Sequence, residues 1–402
     1  MFTRQLLSRT FQREVGLVHL KKNKKWVAVI HHTYREMENK PKYDIVLGQE
    51  SLNNIVSYKN DLCTNKIAPG TNLMGVLNAS QSQLNQMTTE EFVTLLLLTK
   101  KPMIFAGDAN KDGGCDWNEL ELQILGDLGI AMNVEIYDNG VWSPRNSSFC
   151  THNPPLNGTL LFIPGALLEQ VSPDLKEVTS GNNIDQDKYN RLIERRLMPL
   201  LYYANEKAKQ ENVRALITCP AVGCGAFAGR FRGQMGEHLN QALQYILTKH
   251  AHNFDNIACV FFGPHSECSN ESHQFENVKY RIRPELQNPN KSQLCNPKQY
   301  EESGDNFSNC KLFKIVAWDH LSFPGNLYFV GSRNTDDGVS AAATNSMQII
   351  TGIKGRYDRG HYLPPEGYDD WEQVVEKNKI TLLARNNVKI ITANGSLIDL
   401  KV

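Results

Sequence analysis

Two adjacent carboxylates, Asp336 and Asp337, follow a loop over residues 331–335 and precede a run of small residues that predicts a helix beginning at Val339. Neighbouring carboxylates disfavour each other's negative charge, so the pKa of one rises and that group can stay protonated. A protonated acid beside an ionised one is suited to acid–base chemistry, including the cleavage of a glycosidic bond. The alternative is structural, with both side chains capping the helix from a solvated turn.

A third carboxylate, Asp319, ends an apolar run over residues 312–318 that predicts a buried strand. A turn through Pro324 and Gly325 leads to a second apolar run, residues 327–330, which opens into the acidic loop. A strand that ends in a loop rich in glycine, asparagine and aspartate just before a helix is typical of nucleotide sites in α/β proteins. The start of the helix there offers free N–H groups to phosphate.

Three glycines, Gly223, Gly225 and Gly229, follow a predicted strand over residues 215–218. Glycine lets the backbone approach a ligand and direct N–H groups at a diphosphate. The spacing is similar to a dinucleotide fingerprint, but the next predicted strand, residues 257–262, ends without the carboxylate that would hold the ribose. This argues against a Rossmann site. A purely structural turn is the remaining alternative.

Together these loops resemble the macrodomain family of ADP-ribose-binding and ADP-ribose-hydrolysing modules. Macrodomains typically carry Gly-Asp-Ile-Thr after one strand, Val-Asn-Ala-Ala-Asn at the end of another, and a later Pro-Ala-x-x-x-Gly motif. The corresponding segments here are WDHL (318–321), FVGSRN (329–334) and PAVGCG (220–225), and GCGAFAG (223–229) is close to a phosphate loop of poly(ADP-ribose) glycohydrolases. The motifs that normally come first lie C-terminal, so the resemblance, over about residues 159–360, implies a circularly permuted fold.

The layout is most similar to the arginine-specific macrodomain hydrolases, typified by a secreted bacterial effector. The resemblance implies that Asp319 binds the adenine amino group, that Asn334 orients the distal ribose, and that Asp336 and Asp337 are catalytic. Further ADP-ribose contacts that it implies are Gly223, Cys224, Gly225, Ala226, Phe227, Gly338 and Val339. Residues 331–334 are Gly-Ser-Arg-Asn where the family has Asn-Ala-Ala-Asn, so a mechanism based on the first asparagine does not transfer. Asp319 as a turn cap and Asn334 as a turn residue are the structural alternatives.

The function that this resemblance implies is hydrolysis of the N-glycosidic bond between ADP-ribose and a protein arginine. No cofactor is required, and ADP-ribose is the ligand and product. The expected partner is an ADP-ribosylated protein, with ubiquitin or its conjugation machinery as the implied example. Neither nucleic acid nor a membrane span is expected. A non-catalytic ADP-ribose reader, which would not need the carboxylate pair, and a calcium-regulated interaction protein are the alternatives.

The calcium alternative depends on residues 108–119, which have the spacing of an EF-hand loop. The candidate ligands are Asp108, Asn110, Asp112, Asp116 and Glu119. The preceding residues 103–105 predict a strand where an EF-hand has a helix, and Cys115 replaces a larger aliphatic residue. The competing interpretation is a loop between a strand and a helix that Asp116 caps.

The composition is that of a soluble globular protein, with 402 residues, 41% hydrophobic content and zero formal net charge. Zero net charge gives no bulk attraction to nucleic acid or anionic membrane. Nine cysteines without a CxxC pair favour a reducing compartment over a disulfide scaffold or a structural zinc site. We expect the cytosol, which for an effector is that of the host cell. The arginine-rich, amphipathic residues 2–13 leave an organelle transit peptide as an alternative.

Strands that alternate with helices predict an α/β fold with a mixed, mainly parallel sheet. The resemblance implies a three-layer α/β/α macrodomain-like fold, with an N-terminal α/β extension over residues 1–150 and a catalytic domain over residues 151–402. Residues 265–309, polar and proline-containing, predict a linker or insertion, and residues 146–158 predict a loop. Predicted strands not yet named are 25–30, 43–47, 133–137, 159–163, 380–383 and 388–392, and predicted helices are 90–98, 117–128, 188–210 and 234–249.

Overall fold

A computed structural model of the protein describes residues 43–77, 81–105, 116–144, 146–169 and 172–400. The strand predicted over residues 25–30 and the calcium-loop candidates Asp108, Asn110 and Asp112 lie outside the described residues. Pro41–Val402 form one compact unit.

Within the described residues, ten strands form a single sheet, in the order β14-β13-β1-β2-β3-β10-β6-β7-β9-β8, and four more form two short ribbons, β4–β5 and β11–β12. The strands are β1 (Asp44–Gly48), β2 (Gly129–Ser143), β3 (Ser148–Pro164), β4 (Thr179–Ser180), β5 (Asn183–Ile184), β6 (Arg214–Pro220), β7 (Ile257–Gly263), β8 (Glu271–Phe275), β9 (Val278–Ile282), β10 (Cys310–Trp318), β11 (Arg356–Asp358), β12 (His361–Leu363), β13 (Val388–Ile391) and β14 (Leu397–Asp399).

The sheet is mixed and mainly parallel, as the sequence predicts. Its central strands β3, β10, β6, β7 and β9 are consecutive parallel neighbours. By contrast, β2 is antiparallel to both β1 and β3, and each outermost strand is antiparallel to its neighbour. Parallel strands are normally covered on both faces, and β6, β7 and β10 are accordingly buried over most of their length.

Helices cover both faces of the sheet. They are α1 (Gln49–Cys63), α2 (Thr71–Leu77), α3 (Gln81–Gln86), α4 (Thr89–Leu98), α5 (Glu119–Asp127), α6 (Pro173–Val178), α7 (Gln186–Gln210), α8 (Met235–His250), α9 (Asp336–Ala343), α10 (Ser346–Thr351) and α11 (Trp371–Asn378). Alternate residues of β10 enter two separate apolar cores: Leu312 and Val316 pack with α1, α5 and α9, whereas Phe313 and Ile315 pack with α7 and α8. This is the predicted three-layer α/β/α fold. Among the described residues, no helix is both long and apolar enough to cross a membrane.

The sheet does not divide at the domain boundary predicted near residue 150. Strands β1 and β2 belong to the same sheet as β3, and β3 begins at Ser148, inside the region predicted as a loop. Proline is tolerated in β3 because β10 pairs with β3 only from Gly158 onward. The outer half of the strand, which contains Pro154 and Pro155, therefore has an open edge where a missing N–H costs little. The predicted circular permutation stays a prediction.

The segment predicted as a linker or insertion outside the core, residues 265–309, is part of the sheet and the core, so the linker interpretation is wrong. It supplies β8 and β9 to the sheet and buries Tyr280 and Tyr300 completely. Several of its charged residues are paired with one another: Glu302 accepts hydrogen bonds from Arg283 Nε at 2.7 Å and from Lys291 Nζ at 3.0 Å. Charged residues that a solvated linker would leave in water are therefore used inside the fold.

Three short apolar runs do not form the predicted strands. Residues 103–105 and 380–383 have no regular structure, and residues 327–330 belong to a 3-10 helix, Asn326–Val330. Tyr328, Phe329 and Leu382 are nevertheless buried. Their apolar character therefore reflects packing into the core rather than pairing in a sheet, which periodicity over so few residues does not distinguish.

Candidate functional site

The carboxyl ends of β3, β10 and β6 meet at one edge of the sheet, because these strands are parallel neighbours. Asp319 follows β10 directly, the glycine loop follows β6, and Gly165 follows β3. The predicted adenine and diphosphate segments, although far apart in the sequence, are therefore side by side. In open α/β sheets the crevice outside the carboxyl ends of the strands is where ligands bind.

The glycine loop packs closely against the loop that follows β3. The N–H of Leu168 donates to the carbonyl of Phe227 at 2.7 Å, and a Cβ on Gly165 would lie 2.5 Å from the backbone of Gly223. Gly223 itself has φ of 76°, which glycine adopts without strain. At Gly225, which is exposed, a Cβ would meet no atom within 4 Å. The loop is thus fixed on one side and presents its backbone to open space on the other.

The other predicted diphosphate residues lie in the same turn. Ala226 and Phe227 begin a 3-10 helix, Ala226–Phe231, with Ala226 exposed and Phe227 half-buried. Cys224 is buried, with its Sγ 3.6 Å from the carbonyl oxygen of Val222. The side chain of Cys224 therefore faces the core, and its backbone remains as the group that can face a ligand.

Asp319 is buried and closes a turn. Its Oδ1 accepts hydrogen bonds from the N–H groups of Leu321 at 2.7 Å and Ser322 at 3.3 Å. Behind it lies a residue that sequence reasoning missed, Lys100, whose Nζ donates to the carbonyl of His320 and lies 4.0 Å from the ring centroid of Trp318. Burial lowers the pKa of Lys100 to about 7, against the opposing charge of Asp319.

A buried guanidinium, Arg196 on α7, supports the loop after β3. Its Nη1 and Nη2 donate to the two oxygens of Asp174 at 2.8 and 2.7 Å, its Nε donates to Asp127 at 3.1 Å, and Nη1 also reaches the carbonyl of Gly165 at 3.2 Å. Burial opposes ionisation of Asp174, but Arg196 and His320 together hold its pKa well below the ordinary range. Sequence reasoning missed this network as well.

The same aspartate connects the loop after β3 with the turn after β10. Asp174 Oδ2 accepts the N–H of Leu167 at 2.8 Å and lies 3.3 Å from His320 Nε2. Because Asp174 is ionised, Nε2 must carry the hydrogen. The imidazole of His320 also packs 6.0 Å from the ring of Phe227, centroid to centroid. The network therefore joins the three loops at this edge of the sheet.

The two adjacent carboxylates have different environments. Helix α9 begins at Asp336 rather than at Val339, with Thr335 as its N-cap. Asp336 accepts hydrogen bonds from Lys314 Nζ at 2.7 Å and from the N–H of Ala317 at 2.8 Å, so both of its oxygens are engaged. Lys314 is buried on β10, and Asp336 is the counter-ion of its charge.

Asp337 is buried and points elsewhere, because successive residues of a helix differ in direction by about 100°. Its Oδ1 accepts hydrogen bonds from Thr335 Oγ1 at 2.6 Å and from the N–H of Gly338 at 2.9 Å, whereas Oδ2 has no partner among the described residues. Burial raises the pKa of Asp337 to about 7, and the charges of Asp336 and Asp319 act in the same direction.

The remaining candidates are divided between the cleft and the core. Asn334 is exposed beside the acidic helix start. Gly338 is required where it lies, because a Cβ there would be 2.9 Å from both the carbonyl oxygen of Ser332 and Thr335 Oγ1. Val339 is half-buried and packs towards β2, with its Cγ1 3.1 Å from the position of a Cβ on Gly140.

The described part of the calcium-loop candidate has structural roles. Asn118, not Asp116, caps α5: Asn118 Oδ1 accepts the N–H of Glu121 at 2.9 Å, and Glu121 Oε2 accepts the N–H of Asn118 at 3.1 Å. Glu119 forms an ion pair with Lys176. The prediction that Asp116 caps this helix is wrong. No cluster of three or more potential metal-binding side chains occurs in the part of the chain that the structure describes.

The three-layer fold and the loops at this sheet edge define a protein of the macrodomain class. The family model "Macrodomain effector MavL" matches residues 43–368, and the chain belongs to that family. Membership supports a function related to ADP-ribose and, for a family of effectors, implies delivery into a host cell. No match was found among curated proteins.

Proposed function

We propose that this protein hydrolyses the N-glycosidic bond between ADP-ribose and an arginine side chain of a modified protein. The properties of the Asp337 carboxyl group support this proposal most directly. Its carboxyl group is buried, has a pKa of about 7 and keeps one oxygen without a partner among the described residues. It lies at the start of α9, beside the end of β10, and the glycine loop follows the adjacent strand β6.

The two carboxylates would have different tasks. With a pKa of about 7, Asp337 is present in both protonation states near neutral pH. It can therefore take a proton from the attacking water and deliver one to the departing guanidine nitrogen. Asp336, held by Lys314, would supply a fixed negative charge that favours positive charge developing at the anomeric carbon. Water adds to that carbon, the carbon–nitrogen bond breaks, and arginine leaves with its guanidine restored.

The remaining groups would bind ADP-ribose. The exposed backbone around Gly225 is suited to the diphosphate because its N–H groups can donate hydrogen bonds to phosphate oxygens without a side chain in the way. Asp319 would hold the adenine amino group, and Asn334 would orient the distal ribose. The support for these roles is their position at the sheet edge together with the resemblance to macrodomains.

We extend the proposal to the modified protein and the place of action. Ubiquitin or its conjugation machinery is the proposed substrate, and the host-cell cytosol is the proposed location. The support is membership of a macrodomain effector family and the resemblance to arginine-specific hydrolases. No cofactor enters the scheme.

A non-catalytic ADP-ribose reader is the second candidate, because both oxygens of Asp336 are engaged and only one carboxyl group has an oxygen to spare. The test is release of ADP-ribose from an arginine-ADP-ribosylated protein, measured beside calorimetric binding of free ADP-ribose, for the wild type and Asp337→Asn. We expect release by the wild type, and binding without release by the variant. Binding without release by the wild type would establish the reader, and neither binding nor release would refute both functions.

A further inference from the structure

The side chain of Asp138, on β2, accepts hydrogen bonds from three segments of the chain. It is completely buried. Its Oδ1 accepts the N–H of Gly140 at 2.7 Å and Arg333 Nη2 at 2.8 Å, and its Oδ2 accepts the hydroxyl of Tyr357 at 2.7 Å. A buried carboxylate needs both a counter-charge and donors for its lone pairs, and Arg333 is the cation that supplies the counter-charge.

Arg333 is held by more than this ion pair. Its guanidinium carbon lies 3.8 Å from the ring centroid of Phe149 on β3, and Nη1 donates to the carbonyl of Gly360. Stacking on an aromatic ring while donating from several nitrogens is a property of the planar guanidinium that a lysine ammonium does not reproduce. Arg333 therefore ties its own loop to the β2–β3 hairpin and to the turn between β11 and β12.

The loop fixed in this way carries the groups next to the proposed reaction. Arg333 immediately precedes Asn334, and Thr335 follows. The hydroxyl of Thr335 donates to Asp337 Oδ1 at 2.6 Å and accepts the N–H of Gly338 at 3.1 Å. A shift of the loop by even 1 Å would break the bond between Thr335 and Asp337, because hydrogen bonds weaken steeply with distance and angle.

We infer that Arg333, paired with Asp138, is a positioning residue for the proposed hydrolysis: it fixes the loop that carries Asn334 and, through Thr335, the orientation of Asp337. This inference rests on the proposed function. It also gives a physical role to an arginine at a position where the family pattern has alanine.

The test compares two Arg→Lys variants with similar local environments. Arg333→Lys keeps the charge and loses the bidentate, stacked geometry. Arg195→Lys is the matched control, because Arg195 has the same side-chain exposure of 10% and also pairs with a buried aspartate, Asp127, at 2.8 Å. We expect similar losses of thermal stability in both. Release of ADP-ribose from an arginine-modified protein should show a kcat at least ~10-fold lower in Arg333→Lys with KM within about threefold, and little change in Arg195→Lys.

The pH dependence of kcat distinguishes a positioning role of Arg333 from a contribution to stability alone. The hydrogen bond from Thr335 lowers the pKa of Asp337, so its loss should move the midpoint of the profile to higher pH in Arg333→Lys but not in Arg195→Lys. Should Arg333→Lys fail to fold, Tyr357→Phe removes one donor to Asp138 at nearly constant volume and should lower kcat about threefold, near the energy of one hydrogen bond.

The outcomes are distinct. A wild-type kcat and pH profile in Arg333→Lys, or losses no larger than those of Arg195→Lys, would overturn the inference and leave the hydrolase in place. If only Tyr357→Phe folds, an unchanged kcat in that variant would also overturn it. A wild type that binds ADP-ribose but releases none from the modified protein would instead refute the proposed function.

Discussion

Replacing Asp337 by asparagine should make the protein more stable at pH 8 and, at the same time, inactive. The amide oxygen can accept the hydrogen bonds that Thr335 and Gly338 donate, and the amide nitrogen takes the place of the oxygen without a described partner. The shape is kept, and the negative charge that burial disfavours is removed. Loss of an acid–base group should lower kcat by about 10²- to 10⁴-fold.

The size of the stabilisation follows from the pKa of Asp337, which burial raises from 3.8 to about 7. The folded state binds the proton of the Asp337 carboxyl group more tightly than the unfolded state does. The stability that this protonation contributes is therefore complete below pH 3.8 and is lost as the pH rises through about 7. Each unit of difference between the two pKa values corresponds to about 1.4 kcal/mol, so the full loss in the free energy of unfolding is about 4 kcal/mol. The free energy of unfolding of Asp337→Asn should therefore exceed that of the wild type by up to ~4 kcal/mol at pH 8, and by far less at pH 4.5.

The assay is urea unfolding at pH 4.5 and pH 8, with Asp336→Asn as the neighbouring control. That variant removes the counter-ion of buried Lys314 and should lose roughly 3 kcal/mol. The two adjacent substitutions are thus expected to change the free energy of unfolding in opposite directions at pH 8. If Asp337→Asn is destabilised at pH 8, or its advantage is equal at both pH values, the carboxyl group of Asp337 is not protonated near neutrality and its proposed acid–base role is wrong.

Gly225→Ala should weaken ADP-ribose binding at least ~10-fold by calorimetry, because the new methyl group meets no protein atom and would occupy the cleft. Gly165→Ala, which places a Cβ 2.5 Å from neighbouring backbone, should instead lose about 1–3 kcal/mol in urea unfolding. Arg196→Met leaves two buried aspartates without their shared cation and should cost about 3–5 kcal/mol in the same measurement. Calcium titration by calorimetry should give no binding heat, because Asn118 and Glu121 form a capping box at the start of α5 in place of the exiting end of an EF-hand loop; a saturable heat would contradict this.

The centre of the fold could be predicted from the sequence. Strands β6, β7 and β10 and helices α7 and α8 begin and end within three residues of the predicted bounds. These elements combine a strong local pattern with a matching environment: short apolar runs buried on both faces, and long amphipathic runs covering them. The loops after β6 and β10 could also be predicted, since parallel neighbours bring their ends together, whereas the contribution of the loop after β3 could not.

The contacts that organise the site could not be predicted. His320 and Asp174 are 146 residues apart, and Lys100 and His320 are 220 residues apart. Each looks like an ordinary charged or polar residue in its local sequence, and only the tertiary fold makes it a buried partner. The different orientations of Asp336 and Asp337 depend in the same way on Lys314 and on the backbone of β10. Adjacency in the sequence indicates a carboxylate pair but not which member is engaged.

The pairing of β13 with β1 has a practical consequence for any shortened form of the protein. β1 is held between β2 on one side and β13 on the other, with Ile45 beside Val388 and Leu47 beside Ile390. A recombinant fragment that stops at residue 368, the last residue of the family match, would lack β13 and β14 and leave this edge of β1 unpaired. It would expose a row of unpaired N–H and C=O groups next to apolar side chains, which is a template for strand exchange between molecules and for precipitation.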